Sequence, residues 1–270
     1  MNFNYFINPG RGGDMAKIAV KPKTRVLGID IGGTGIKSAP VDIVKGVLLE
    51  ERYRVDTPHP ATPKSMLAAI GGIIEHWKWT GPLGCGFPGV MKSGEVYTAA
   101  NLSKKWIGVN IRDEIEKISP CRAVVINDAD SAGLAEMKFG AGEKYNRHGG
   151  GVVLMVTLGT GVGTALFVDG HLVRNTELGH IEIDGEDAEK RTAEIHREIE
   201  GLSWKKWGKR VNKYLLHIEK LLSPDLIIIG GGVSKKSDKF FPYIKIRAAI
   251  VPAKMLNDAG IIGAALATEL

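Results

Sequence analysis

Asp30 and the pair Asn127-Asp128 each stand at the end of an apolar, β-branched run, where a carboxylate can be held partly out of water and aimed at one atom. A third polar group lies in Thr176-Glu177-Leu178-Gly179-His180 and in the acidic residues that follow, among them Glu182, Asp187 and Glu189. No cysteine lies within reach of His180 along the chain. Such residues could form a metal site, a catalytic base with its partners, or a clamp for a polar substrate. The residue types alone leave all three open.

Two glycine-rich turns accompany them. In Asp30-Ile31-Gly32-Gly33-Thr34-Gly35-Ile36-Lys37 a P-loop is excluded, because neither the Gly-x4-Gly-Lys-Ser/Thr spacing nor a following helix is present. A dinucleotide fingerprint fails for the same lack of a helix. What remains is a hairpin turn whose amides can face an anion, with Thr34 and Lys37 as added donors. The competing reading is an ordinary tight hairpin whose glycines supply positive φ. Leu158-Gly159-Thr160-Gly161-Val162-Gly163-Thr164 has the same character. Each turn is a weak signal alone. Together, at matching places in two repeats, they can offer amides to a phosphate chain from both sides. Gly230-Gly231-Gly232 closes a third apolar run and could let a base or other extended ligand approach the backbone, or could be a plain strand-to-helix turn.

The elements that must carry these groups follow from periodicity. Residues 25–43 read as strand, turn and strand, and 46–58 as a third strand closing at Pro58. Met66, Leu67, Ile70, Ile73, Ile74 and Trp77 give helical spacing over 63–79, with Pro63 in the first turn. A strand then enters Phe87-Pro88-Gly89, a short helix covers 110–118, and the strand 122–130 leads into a helix ending at Gly140. The pattern then repeats: strand, glycine turn and strand over 150–173, a basic amphipathic helix over 203–222, strands at 225–232 and near 244–251, and a closing helix from Asp258. This duplicated α/β architecture predicts two lobes with a central cleft. The expected division is a disordered extension over 1–23, with Met15 a candidate start, lobes over 24–127 and 128–257, and a helix over 258–270 that packs back on the first lobe.

The 270 residues are 44% hydrophobic and 24% charged, ordinary for a globular protein, and no apolar run reaches the roughly 20 residues of a membrane helix. No secretory signal pattern opens the chain. Cys85 and Cys121 sit in apolar runs and read as core, so neither a disulfide framework nor a zinc cluster is expected, and a reducing cytoplasm fits. The net charge of +6 gathers in 204–213 and 234–239, which could meet phosphate or simply be solvated surface.

The motifs Asp30–Lys37, Gly86-Phe87-Pro88-Gly89-Val90, Asn127–Glu136, Val156–Leu166, Glu177–His180 and Ile227–Ser234 resemble, in order, those of the ROK family of sugar kinases, with its actin/hexokinase-like (ribonuclease H-like) fold. The resemblance runs from about residue 24 to residue 270. Most of that family carry a cysteine-rich zinc stretch after the Gly-His pair; its absence here, with Asp184–Arg191, Gly201–Trp207 and the tail, is similar to the polyphosphate glucokinase branch. No structural zinc is therefore expected.

The resemblance implies phosphoryl transfer from polyphosphate, or from ATP, to the 6-hydroxyl of glucose. It implies Asp128 as the catalytic base, with helix capping as the competing role, one that Asp130 would suit at least as well. Asn101, Asn127, Glu177 and His180 are implied to line the glucose pocket together with Asp128. Glu189 is the implied further sugar carboxylate, and Glu182 its competitor. Asp30 would hold Mg²⁺, directly or through water, and Gly32, Gly33, Thr34, Lys37, Thr160, Gly161 and Gly231 would contact the donor. The implied partners are glucose and polyphosphate, with no nucleic acid and no membrane, in a homodimer. A polyphosphate track could use Lys205, Lys206, Lys209 and Arg210, or Lys235, Lys236 and Lys239. A sugar-responsive repressor of the same family would carry a helix-turn-helix ahead of Asp30, and the residues there do not read as one.

Overall fold

The structure, a computed structural model, describes residues 24–99 and 102–270. The expected extension over 1–23 and the candidate Asn101 lie outside the described residues.

The first sheet is built from β1 (Arg25–Ile31), β2 (Gly35–Asp42), β3 (Val47–Leu48), β4 (Tyr53–Asp56), β5 (Leu83–Phe87) and β8 (Ala123–Asn127). Its order is β3-β2-β1-β5-β8, with β4 also on β2. Between these come α1 (Pro63–His76), the hairpin β6 (Met91–Lys92) and β7 (Glu95–Val96), and α2 (Ile111–Ile118). The helix α3 (Asp128–Phe139) leads to the second sheet, β11-β10-β9-β14-β15. Its strands are β9 (Val152–Leu158), β10 (Val162–Val168), β11 (His171–Val173), β14 (Leu226–Gly230) and β15 (Ala249–Pro252). Inserted there are a small hairpin, β12 (Glu182–Ile183) and β13 (Glu186–Asp187), then α4 (Glu189–Thr192), α5 (Glu194–Ile199) and α6 (Trp204–Leu222). The chain closes with α7 (Ala259–Leu266).

Alternation along β1 explains the layering. Leu27, Ile29 and Ile31 join Met66, Ile70 and Ile73 of α1 and Ile111 and Ile115 of α2 in one core. Val26 faces the other way, with Ile261, Ile262 and Ala265 of α7 and Ala135 of α3. In the second sheet Leu154, Val156, Ile227 and Ile229 bury Trp207, Val211, Tyr214 and Ile218 of α6, whereas Met155 and Ile228 share a core with Met137 of α3. So α3 and α7 lie between the two sheets, and both lobes bury apolar surface against them.

That sandwich depends on missing side chains. A β-carbon on Gly84 would come to 1.7 Å of the Ala264 carbonyl oxygen, and one on Gly263 to 1.5 Å of the Ser131 carbonyl oxygen. Gly263→Ala should therefore force α7 away from α3 and cost about 3 kcal/mol, the upper part of the overpacking range. Denaturant unfolding measures it, and an unchanged midpoint would refute the close approach.

Two sequence readings are corrected. The single third strand over 46–58 is two short strands, β3 and β4, both antiparallel to β2. Pro40, in the middle of β2, has no N–H to donate, so the facing chain pairs with Val41 and Asp42, gives its Leu49 N–H to the Pro40 carbonyl at 2.8 Å, leaves the ladder over 50–52, and rejoins at Ser38. The strand near 244–251 occupies Ala249–Pro252, where it pairs with β14. Thr62 caps α1 in a capping box with Ser65, and Pro63 opens the first turn. That helix ends at His76, because Lys78 already has φ 45°. Cys85 and Cys121 are buried and free.

Candidate active site

The carboxyl ends of β1 and β8 deliver Asp30 and Asp128 to the cleft side of the first sheet. At the start of α3 the cap is Asn127: its backbone is extended and its Oδ1 accepts the Ala129 and Asp130 N–H groups at 2.8 and 3.0 Å. Asp130 is not the cap. It is the third residue of the helix, 1% exposed, and its Oδ2 accepts the Asn175 N–H at 2.9 Å. With Asn127 capping, the Asp128 carboxylate is free for other work, apart from a 2.8 Å bond to the Ala129 N–H.

Burial pushes the Asp128 carboxyl up to about 7, and the nearby Asp30 and Glu177 carboxylates push the same way. Asp30 is likewise raised by burial, opposed by the Lys37 ammonium, whose Nζ lies 3.4 Å from its Oδ2. Glu177 is raised by burial and by Glu189, opposed by His180. These mutual influences run without a break from Asp30 through Asp128 to Glu177 and on to Glu189 and His180. The Asn127 Nδ2 donates to the Gly89 carbonyl at 3.2 Å and reaches Glu177 Oε1 at 3.5 Å.

Glu189, on α4, spends one oxygen on the Val162 N–H at 2.7 Å, so it braces the second glycine turn while standing near Glu177. His180 is exposed, with Nδ1 3.3 Å from Asp187 Oδ2. Glu182, at the exposed start of β12, makes no side-chain hydrogen bond among the described residues. Thr164 and Thr176, which the sequence reading passed over, hold the Glu177 segment against β10. The Thr164 hydroxyl donates to the Thr176 carbonyl and accepts the Leu178 N–H at 3.1 Å, and the Thr176 hydroxyl donates to the Thr164 carbonyl at 3.1 Å. They stand in two separate motifs, twelve residues apart, so no local pattern linked them.

Beside these groups is a cavity of about 230 Å³ lined by Asp30, Lys37, Asp128, Thr157, Gly231 and Lys235, among others. Gly260 of α7 also lines it, and a β-carbon there would lie 2.6 to 2.8 Å from the Asp30 carboxylate atoms. Gly231 has φ 81°, and its own β-carbon would strike the Leu158 carbonyl oxygen at 2.4 Å, so only glycine fits. Of the other donor candidates, Gly33, Thr34 and Thr160 are exposed at the hairpin tips, while Gly32 and Gly161 are half-buried beneath them. The first turn is fixed by Thr57, whose hydroxyl donates to the Gly32 carbonyl at 2.6 Å, and by Arg54, which donates to the Thr34 carbonyl at 3.0 Å. None of its glycines has positive φ, so left-handed backbone is not what requires them in this tight hairpin. Gly33 meets nothing within 4 Å of a built β-carbon and its N–H has no hydrogen-bond partner among the described residues, whereas the Gly159 N–H donates to the Gly161 carbonyl at 3.0 Å.

No cluster of three or more metal-ligating side chains occurs among the described residues. Two raised carboxylates on one cavity, partly offset by one lysine, do fit a hard cation that takes most of its oxygens from water and phosphate.

Two α/β lobes closing on a cleft over two central helices define the actin/hexokinase-like class of protein. The ROK family profile matches residues 26–194, and the chain belongs to the ROK family. It is 44% identical over 242 residues to a polyphosphate glucokinase of Mycobacterium tuberculosis, covering 89% of this chain and 90% of that one. Among solved structures, the inorganic polyphosphate/ATP-glucomannokinase of Arthrobacter sp. strain KM matches with a TM-score of 0.85 and 46% identity, over 90% of this chain and 97% of that one. A ROK family glucokinase from Streptomyces griseus, solved with glucose and AMPPNP, matches with a TM-score of 0.77 at 23% identity, over 91% of this chain and all of that one, which speaks to the fold alone. No helix among the described residues is long and apolar enough to cross a membrane.

Proposed function

We propose that this ROK-family protein transfers the terminal phosphoryl group of inorganic polyphosphate to the 6-hydroxyl of glucose, with ATP as a second donor. The observation that carries the reading is the placement of Asp128, a carboxylate pushed up to about 7, between a glycine-bordered cavity and the Glu177 cluster. A base of that affinity takes a proton efficiently near neutral pH. The glucose oxygen attacks phosphorus as its proton passes to Asp128, and the bond from phosphorus to the chain oxygen breaks, leaving polyphosphate one unit shorter. Asn127, Glu177, His180 and Glu189 hold the sugar hydroxyls, which aligns the attacking oxygen. Lys37 and the Gly33 amide at the tip of the first glycine turn stabilise charge on the moving group, with the tip of the second turn at Thr160 facing it. Asp30 would hold a magnesium ion, directly or through water, and that ion supplies further charge neutralisation at the phosphoryl group.

The setting proposed is a cytoplasmic homodimer, with a light-scattering mass of one chain refuting the dimer. Initial rates of glucose phosphorylation with long-chain polyphosphate and with ATP, under Mg²⁺, test the activity. Activity with ATP alone would overturn the donor assignment, and none with either would overturn the reaction.

A long donor must also leave the cavity. Lys235 lines it, and beyond it Lys236 and Lys239 stand 5.8 and 5.7 Å from the Trp204 ring centroid with no ion pair among the described residues. Of the alternative set, Arg210 is spent on Glu200 at 2.6 Å, and Lys205, Lys206 and Lys209 are unpaired among the described residues but do not line the cavity. We assign the exit track to the 235–239 lysines. The double variant Lys236→Ala, Lys239→Ala should raise the KM for long polyphosphate about tenfold and leave that for ATP within twofold. An equal rise for both donors would remove the track.

A further inference from the structure

A larger cavity, about 390 Å³, lies along β8, the outermost strand of the first sheet. Of the candidate active-site residues described above, only Asn127 reaches it. Its walls carry Arg112 and Glu116 of α2, Arg122 just before β8, Arg174 from the segment after β11, and Asp130. The size falls within the range of small-molecule sites.

The charges there are unevenly spent. Arg112 is held by Asp113 at 2.9 Å, and Glu116 accepts the Ala123 N–H at 2.9 Å. Arg122 and Arg174 make no ion pair among the described residues and are exposed at the cavity wall. Asp130, 1% exposed, has a second oxygen, Oδ1, with no hydrogen-bond partner. A buried, half-satisfied carboxylate is costly unless a donor comes to it. Two planar guanidiniums with free donors suit an oxyanion such as phosphate, which each can grip with two N–H groups.

We propose that this cavity binds a small organic phosphate carrying a free hydroxyl, the phosphate on Arg122 and Arg174 and the hydroxyl directed to Asp130. The site is coupled to the cleft through the segment 174–177. Asn175 brackets Met91 of the first lobe, accepting its N–H at 3.0 Å and donating to its carbonyl at 2.8 Å. The same residue donates its own N–H to Asp130. Glu177 follows two residues later. A ligand that draws Arg174 toward Arg122 therefore shifts the segment that carries Glu177, and the coupling to glucose is reciprocal.

The test is calorimetric titration of the full chain with 3-phosphoglycerate, glucose 6-phosphate and inorganic phosphate, each with and without saturating glucose. Saturable binding of 3-phosphoglycerate is expected, weakened at least tenfold in the variant Arg122→Gln, Arg174→Gln, whose glucose KM without the probe stays within twofold of the parent. Glucose should change the 3-phosphoglycerate affinity at least threefold, and equal affinity in both conditions would overturn the coupling. Binding of none of the three, or binding undiminished by the double substitution, would overturn the site. Binding of inorganic phosphate as tight as that of 3-phosphoglycerate would overturn the role given to Asp130. The glucose-phosphorylation rate measured on the same samples separates failure of this site from failure of the proposed reaction.

Discussion

Asp128→Asn should lower kcat about a thousandfold while calorimetric glucose binding persists within a few-fold. The amide keeps the size and the hydrogen-bonding edge of the carboxylate but cannot take the proton of the attacking hydroxyl. Loss of glucose binding with the fold intact would make Asp128 a binding group instead. The parent enzyme should show kcat/KM falling tenfold per pH unit below about 7, where the carboxyl fills with protons. Stability should move oppositely. A carboxyl raised in the folded state contributes stability that is complete below its unfolded value and is lost as pH rises to about 7. Asp128→Asn should therefore melt about 5 °C above the parent at pH 8, with the gap closing toward pH 5. A variant less stable than the parent at pH 8 would contradict the burial argument.

The second large effect is expected far from any polar motif. Gly260→Ala places a β-carbon 2.6 to 2.8 Å from the Asp30 carboxylate, closer than real contacts allow. Asp30 is also held by Lys37, and α7 is pinned on Gly28 and Gly84, so the carboxylate must give way. A displacement of this order at the group proposed to orient the donor should cost about a hundredfold in kcat/KM. The glucose affinity should change little, because Gly260 lines the donor cavity only. Steady-state kinetics with polyphosphate varied at saturating glucose measures the effect. A loss seen equally in glucose Kd would show that the substitution disturbs the whole interface and not Asp30.

Much of this protein was legible in its sequence because the relevant signals are local. The β1–turn–β2 unit announces itself by β-branched runs around Gly32–Gly35, and its partner around Gly159–Gly163 does so again. The order of the motifs was enough to indicate the family and, with it, the fold. The 63–76 helix showed both its apolar stripe and its Thr62-Pro63 start. Asp30, Asn127 and Asp128 stood out as polar residues closing apolar strands, and Glu177 was implied by the resemblance.

Other features were set by groups far apart in the chain. The break of the third strand depends on Pro40 in the strand opposite, which a reading of 46–58 by itself does not weigh. By type, Asp128 and Asp130 were the caps the sequence offered, and only the backbone at the strand end gave the role to Asn127. Whether Arg210 remained free for a track depended on Glu200, which the fold brings to it, and which lysines line the cavity depended on where the 232–239 turn packs. By itself, the sequence determined which residues could do chemistry and which segments would carry them, since hydrophobic period and turn type act over a few residues. Tertiary structure decided which carboxylates lose water and face one another, and that α7 would bring Gly260 against Asp30. Desolvation and close approach are properties of the packed whole, so no local pattern can encode them.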